Sequence, residues 1–410
     1  MIGALNMKEE NLSSSGTVTP SDESSSSSSA QDDVQHHWQG VIKRRSFLKN
    51  ISLAGATATA GALMGKQLLA EATPISRRLS KGDVALLRFA AAVELIEADL
   101  WQQYNELGGV NGGNPAYIAA LSNLDGDMPQ YIADNTDDEL SHAAFLNAYL
   151  ISKGAEPVNL DAFRTLRSSQ ATGAKNIGRL TNLLKLNVDL SWFTRYRSKK
   201  NPDLGAHFRG PFKIRNEPAI PINDTDTPPD TAIPGASDVT PGSSFTGVAA
   251  GMQAIANTAG FHFAFIEQGG ASLYPTLAFK AKDPEVLRIL VSIGGVEIDH
   301  FGLWHDKGGN AVAQPLALVT DPITGLTFPD LNALNSELAQ TNLILPEPCD
   351  FISKELPKCS VIRPTTTKDG GAVATIKAFT DDLLFLGQSA GFFSLVNRLA
   401  IEADSVPGGF

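Results

Sequence analysis

Two short segments of this chain have the types and spacing of a cation site. Glu139-Leu140-Ser141-His142 and Glu297-Ile298-Asp299-His300 are both Glu-x-x-His. On a helix, positions three apart share a face, so each pair can aim a carboxylate and an imidazole at one point. Two more glutamates lie in apolar stretches: Glu97 in Val93-Glu94-Leu95-Ile96-Glu97-Ala98, and Glu267 in Phe263-Ala264-Phe265-Ile266-Glu267. Such a glutamate is expensive to bury unless it is paired or binds metal. Glu97, Glu139, Glu267 and Glu297 with His142 and His300 would offer hard oxygens and two imidazoles, a set that suits iron or manganese and also admits zinc. Four carboxylates would balance two divalent cations in a neutral interior.

Tyr104 follows Glu97 by seven residues, and Tyr274 follows Glu267 by seven. Seven residues make two helical turns, so each tyrosine stacks on the face of its glutamate. Both are candidates to hydrogen-bond the site or to supply an electron. Glu94 competes with Glu97, and Glu97 is preferred because only it has the tyrosine partner. Blander readings stay open beside these. Glu139 follows Thr136 by three and could close a capping box at a helix start. Glu267 could pair with an arginine, and His300 could simply be solvated. His262 and His305 read as structural or supporting residues, and His207 as a surface residue. Gly269-Gly270 and Gly294-Gly295 flank two of the glutamates, which means either close helix approach or an open path to the site.

The elements that must carry these residues read as helices. The first spans about residues 81–107, started by a Ser80/Asp83 capping box and ended at Gly108-Gly109. The others span about 128–153, 245–279 and 284–306, the last with Asp283 as N-cap and Pro284 at its first position. A fifth runs from Ala372 to Ala403. Residues 154–244 form a long insertion, in which Gly178 to Arg197 could be helical and Asn201 to Ser244 is loaded with Pro, Asp, Gly and Thr. The expectation is an all-α chain: two helical hairpins joined by one long crossover, with an extra C-terminal helix in the extension 310–410.

The 410 residues carry Lys+Arg 33 against Asp+Glu 44, a net charge of −11. There is no basic surplus to meet phosphates, which argues against a nucleic-acid partner. No run of 18 or more apolar residues is present, so no stable membrane span is expected. Residues 1–35 are Ser-rich and polar and read as disordered. Lys43-Arg44-Arg45-Ser46-Phe47-Leu48-Lys49 resembles a twin-arginine export signal, with Arg44 and Arg45 as its arginines. It is followed by a mildly apolar stretch, Ile51 to Gly65, and by Ala70-Glu71-Ala72 as a cleavage site. Residues 1–72 would then be an address read by the twin-arginine translocase, and 73–410 the exported protein, periplasmic or extracellular. In that compartment Cys349 and Cys359 are expected to form a disulfide.

The body of the chain, about residues 81 to 310, resembles the ferritin-like domain family that includes desiccation-related proteins and many exported bacterial proteins. The residues carrying the resemblance are Val93 to Ala98, Glu139 to His142, Ser191 to Arg197, Ile266 to Gly270 and Gly295 to Phe301. It implies a ferritin-like four-helix bundle in which Glu, Glu-x-x-His, Glu, Glu-x-x-His hold two iron or two manganese ions. The activity expected from such a centre is oxidoreductase chemistry on a small oxidant, peroxide or dioxygen, of the manganese-catalase or rubrerythrin kind. No rubredoxin-type cysteine cluster is present, which favours disproportionation of peroxide. The alternative is a non-enzymatic protein protecting the cell envelope under stress or desiccation, with a structural metal or none. Iron storage in a cage is a weaker third reading, and a homo-oligomer is compatible with all of these.

Overall fold

The computed structural model describes residues 78–188, 214–224, 250–309, 319–328, 353, 355–359 and 370–408. The export signal with Arg44 and Arg45, the segment Ser191 to Arg197, and Cys349 lie outside the described residues. The expected Cys349–Cys359 pairing therefore does too.

Helix α1 runs Lys81–Gly108. Ser80 caps it as the sequence suggests: its Oγ accepts from the Asp83 backbone N–H at 3.0 Å and donates to Asp83 Oδ2 at 2.7 Å. The helix is buried almost all round, with Glu94, Glu97, Asp99 and Gln103 among its buried residues. A helix with no polar outer face must be enclosed by others. Gly108 shows how closely: a Cβ there would fall 2.4 Å from Leu121 Cδ1 of the next helix. That helix, α2 (Pro115–Leu124), was not expected. Its N-cap is Asn114, whose side chain accepts from Tyr117 N–H at 3.0 Å.

Helix α3 runs Met128–Ser152 with proline in its first turn. Thr136 and Glu139 are therefore well inside it, and Thr136 Oγ1 donates to Ile132 O at 2.7 Å. The capping-box reading of Glu139 does not hold. Helix α4 runs Ala250–Ala278 and is buried on every face. Helix α5 runs Pro284–Gly309, with Asp283 Oδ1 accepting from Glu285 N–H at 2.8 Å. Among the long helices, α1 packs chiefly on α3 and α4 chiefly on α5, while α2 lies against α4.

The crossover holds one correction and the C-terminal extension another. Gly178 to Val188 is not helical: Leu166 and Arg179 form a β-bridge, and β1 (Leu186–Val188) pairs antiparallel with β2 (Ile214–Glu217). A buried carboxylate ties this stretch to α1: Asp99 Oδ2 accepts from the backbone N–H groups of Leu180 at 3.0 Å and Thr181 at 2.9 Å. The C-terminal helix is also broken in two, α6 (Ala372–Asp381) and α7 (Ala390–Asp404). The connecting turn needs positive φ at Leu383 (66°) and Gly387 (91°), and Ser389 caps α7. Gly371 offers α6 no side chain, so Asp404 supplies the cap from the end of α7. Its two oxygens accept from Ala372 N–H at 3.0 Å and Val373 N–H at 2.9 Å.

The described residues are thus predominantly α-helical around one apolar core drawn from all these elements. Among them no helix is long and apolar enough to cross a membrane.

Candidate metal centre

Each of the four long helices delivers at least one carboxylate to the same interior. Glu94 comes from α1, Glu139 and His142 from α3, Glu267 from α4, Glu297 and His300 from α5. The four glutamates are 0% exposed and the two histidines 8% and 6%, so no carboxylate among them has solvent to carry its charge.

The ligand atoms fall into two groups. In one, Glu94, Glu139, His142 and Glu297 each offer an atom, all within 4.8 Å of one another. In the other, Glu139, Glu267, Glu297 and His300 do the same. Glu139 and Glu297 belong to both. His142 Nδ1 lies 3.3 Å from Glu94 Oε2, 3.4 Å from Glu139 Oε2 and 3.5 Å from Glu297 Oε1. His300 Nδ1 lies 3.2 Å from Glu139 Oε1 and 3.2 Å from Glu267 Oε2.

Neighbouring side chains hold this arrangement. Asn135 Nδ2 donates to Glu139 Oε1 at 2.9 Å and to Glu267 Oε1 at 3.0 Å, and Trp304 Nε1 fixes Asn135 by donating to its Oδ1 at 2.7 Å. Asp138 Oδ2 lies 3.0 Å from His300 Nε2. A carboxylate there keeps the ring proton on Nε2 and turns Nδ1 inward. Tyr274 donates its hydroxyl to Glu94 Oε1.

The residue set fits a cation. Glu94 Oε2, Glu139 Oε2, His142 Nδ1 and both oxygens of Glu297 are buried without a hydrogen-bond partner. Among the described residues no lysine or arginine pairs with these carboxylates, so the arginine reading of Glu267 fails. Buried acids in that position either keep protons or bind metal. Two of the ligand acids are shifted toward the protonated form. Burial and the neighbouring Glu267 and Glu94 push Glu139 up to about 7. Burial and Glu139 push Glu297 well above the carboxylate range. Burial alone would lower the imidazoles, but Glu94 raises His142 and Glu267 raises His300, well above the usual histidine range. These groups could therefore hold a metal ion, with protons released as it enters.

Glu97 stands beside these groups. It is buried, and burial followed by the charges of Glu297, Glu139, Glu94 and Glu267 raises its carboxyl well above the ordinary value. The two ligand groups contain Glu94, one turn earlier, and not Glu97. Neither tyrosine bonds the glutamate two turns before it. Tyr274 instead reaches across to Glu94 on another helix, and Tyr104 bonds His262 Nδ1 at 2.7 Å, away from the cluster.

The glycines divide. A Cβ on Gly270 would stand 2.2 Å from Glu297 Oε2, and one on Gly294 would stand 2.7 Å from Tyr274 Cβ. Close approach is their reason. Gly269 and Gly295 face nothing within 4 Å. Asn135, Asp138 and Trp304 were not singled out from the sequence. Asn135 and Asp138 stand four and one residue before Glu139, and the first of these shares its helix face, which is the signal available.

Comparisons with protein-family models, with curated proteins and with solved structures return no match to this chain.

Proposed function

We propose that this chain is a ferritin-like di-metal carboxylate protein, exported by the twin-arginine route, that acts as an oxidoreductase on peroxide or dioxygen. The observation carrying the reading is that two four-residue ligand groups share Glu139 and Glu297. Shared carboxylates between two cations, each with one further glutamate and one histidine, are the arrangement of a dinuclear site in which four helices form a bundle.

In this reading Glu94, Glu139, His142 and Glu297 would hold one ion, and Glu139, Glu267, Glu297 and His300 the other. Bound iron or manganese would pass electrons from one peroxide molecule, oxidised to dioxygen, to a second, reduced to water. The protein's own groups do the rest. Tyr274 and Asn135 fix which carboxylate oxygens face inward. Asp138 holds the His300 ring proton on Nε2. Glu97, whose carboxyl is raised well above the ordinary value by burial and by the neighbouring glutamates, would serve as the acid next to the site.

The complete burial of all four ligand carboxylates favours a second reading, in which the cations are an internal staple and the protein protects rather than catalyses. One preparation separates the two. The chain is expressed with its signal intact, purified from the periplasm, and assayed for metal by mass spectrometry and for peroxide consumption. The dinuclear oxidoreductase predicts two metals per chain and turnover lost in Glu297→Ala and His300→Ala. Fewer than about half a metal per chain, with both variants folding normally, overturns the metal reading. Two metals without turnover supports the staple.

A further inference from the structure

Outside the carboxylate cluster lies a second set of buried polar groups in line. Tyr104 OH meets His262 Nδ1 at 2.7 Å, and His262 Nε2 meets Asp382 Oδ2 at 3.0 Å. Tyr104 and His262 are 0% exposed and Asp382 2%. The three come from α1, α4 and the turn after α6. An ionised carboxylate only accepts, so Nε2 carries the ring proton and Nδ1 accepts from the phenol. Tyr104 therefore holds a hydrogen bond to a base that has a carboxylate behind it.

The tyrosine ring is also part of an aromatic stack. Trp101 lies 5.7 Å from Tyr104 and stacks on Trp304 at 5.4 Å, 21° between planes. Phe263 fills the angle between them, 4.7 Å from both Tyr104 and Trp304. Trp304 Nε1 then donates to Asn135, which donates to Glu139 and Glu267. Tyr104 is thus joined to the cluster on its redox-active side by two indoles, and on its acidic side to a proton acceptor.

We propose that Tyr104 is a proton-coupled redox site. The oxidant is a tryptophanyl radical cation at Trp101 or Trp304, which takes one electron from Tyr104 and returns to the neutral indole. The phenolic O–H bond breaks, and its proton forms an N–H bond at His262 Nδ1. The products are a neutral tyrosyl radical, an imidazolium held by Asp382, and the oxidant reduced by one electron. Burial, with Tyr117 and Asp382 nearby, pushes the phenol well above its ordinary value, and the 2.7 Å contact with His262 Nδ1 gives the proton its route on oxidation. Any buried phenol needs a hydrogen-bond partner, but packing does not require that the partner be a base with a carboxylate behind it. The chemistry of this relay stands without the metal reading, although an oxidised dinuclear centre is the natural source of the oxidant.

The test uses the full chain freed of metal, so that it succeeds or fails separately from the cluster. Ultraviolet laser photoionisation ejects an electron from tryptophan, dissolved nitrate captures it, and the tryptophanyl radical is the oxidant. Transient absorption and freeze-quench electron paramagnetic resonance follow its conversion to a tyrosyl radical. Tyr104→Phe and His262→Gln are compared with the native chain, each checked by circular dichroism. Glutamine can keep a hydrogen bond to each neighbour but cannot take the proton. The tyrosyl yield should fall by about tenfold or more in both variants. The native conversion should also slow in deuterium oxide. An undiminished yield in Tyr104→Phe places the radical elsewhere and overturns the proposal. An undiminished yield in His262→Gln, or no isotope effect, overturns the proton route.

Discussion

The hydroxyl of Tyr274 on α4 donates to Glu94 Oε1 on α1. That contact leaves Glu94 Oε2 turned toward His142 Nδ1, 3.3 Å away on α3. The residue orienting a ligand of one helix pair therefore comes from the other pair. Gly294, on α5, lets Tyr274 lie where it does, because a Cβ there would press on the tyrosine Cβ at 2.7 Å. Four helices are thus committed to the aim of one carboxylate.

Tyr274→Phe removes the hydroxyl and keeps the ring. Glu94 becomes free to rotate, and the group of Glu94, Glu139, His142 and Glu297 loses its fixed geometry. Metal affinity should fall by about 10-fold or more, as it does when partners that orient ligands are lost. Competition with a chromophoric chelator reads the change. The hydrogen bond itself is worth only about 1 kcal/mol, so thermal stability without metal should drop little. An unchanged affinity would show that Tyr274 does not orient Glu94.

The two glycines following Glu267 should behave oppositely. Gly270→Ala puts a methyl 2.2 Å from Glu297 Oε2, so a shared ligand must move. Overpacking there should cost about 1–3 kcal/mol and reduce metal occupancy. Gly269→Ala meets nothing within 4 Å and should stabilise α4 by about 0.5–1 kcal/mol with metal binding intact. Denaturant melts of the pair, with metal content measured alongside, decide it. Equal effects would mean that close approach is not why Gly270 is there.

Spacing along one helix was enough to pair Glu139 with His142 and Glu297 with His300, and Glu267 stood out as a carboxylate in an apolar stretch. Those residues share faces of long helices, and three-residue spacing is a local property. Glu94 against Glu97 was not legible. Both lie on the buried surface of α1, and the choice is made by Tyr274 from a distant part of the chain. The crossover failed likewise: Asp99 captures Leu180 and Thr181 across a separation that periodicity cannot see. Helix α2 did have a local signal, Asn114 followed by Pro115, but ten residues between two glycines and an aspartate were read as connection. In the C-terminal extension the apolar pattern continued through Leu383 to Gly387, where the backbone turns. Apolar spacing reports burial, and a buried turn satisfies it as well as a helix does.

Asp138 is half exposed yet stands 3.0 Å from His300 Nε2. Asp138→Asn leaves a hydrogen-bonding group of the same shape and removes the charge that favours Nε2–H. His300 Nδ1 becomes a poorer donor to a cation, and affinity at the Glu267/His300 side should fall by about 10–100-fold. The partner of His300 is at the surface, so unfolding without metal should be nearly unaffected. Isothermal titration would then show one binding step weakened and the other kept. Two steps weakened equally would contradict the assignment of His300 to one side.

Stability should depend on pH in a direction set by Glu139. Burial, then Glu267 and Glu94, push its carboxyl from 4.5 to about 7. The unfolded chain gives up this proton near 4.5, and the folded chain holds it to about 7. The folded state therefore binds more protons in that window, and its advantage is complete below the window and lost as pH rises through about 7. His142 and His300 act with the same sign further up, because their folded values are also raised. Metal-free protein should thus melt lower at about pH 8 than at about pH 5.5, by up to a few kcal/mol from this cluster. A divalent cation replaces the protons that the site needs, so adding manganese should raise stability most at the higher pH. Glu139→Gln removes one titrating group and should make the metal-free profile less steep between the two values. A native profile that rises with pH, or one that the substitution leaves unchanged, would show that the buried carboxylates are neutralised by something other than protons and metal.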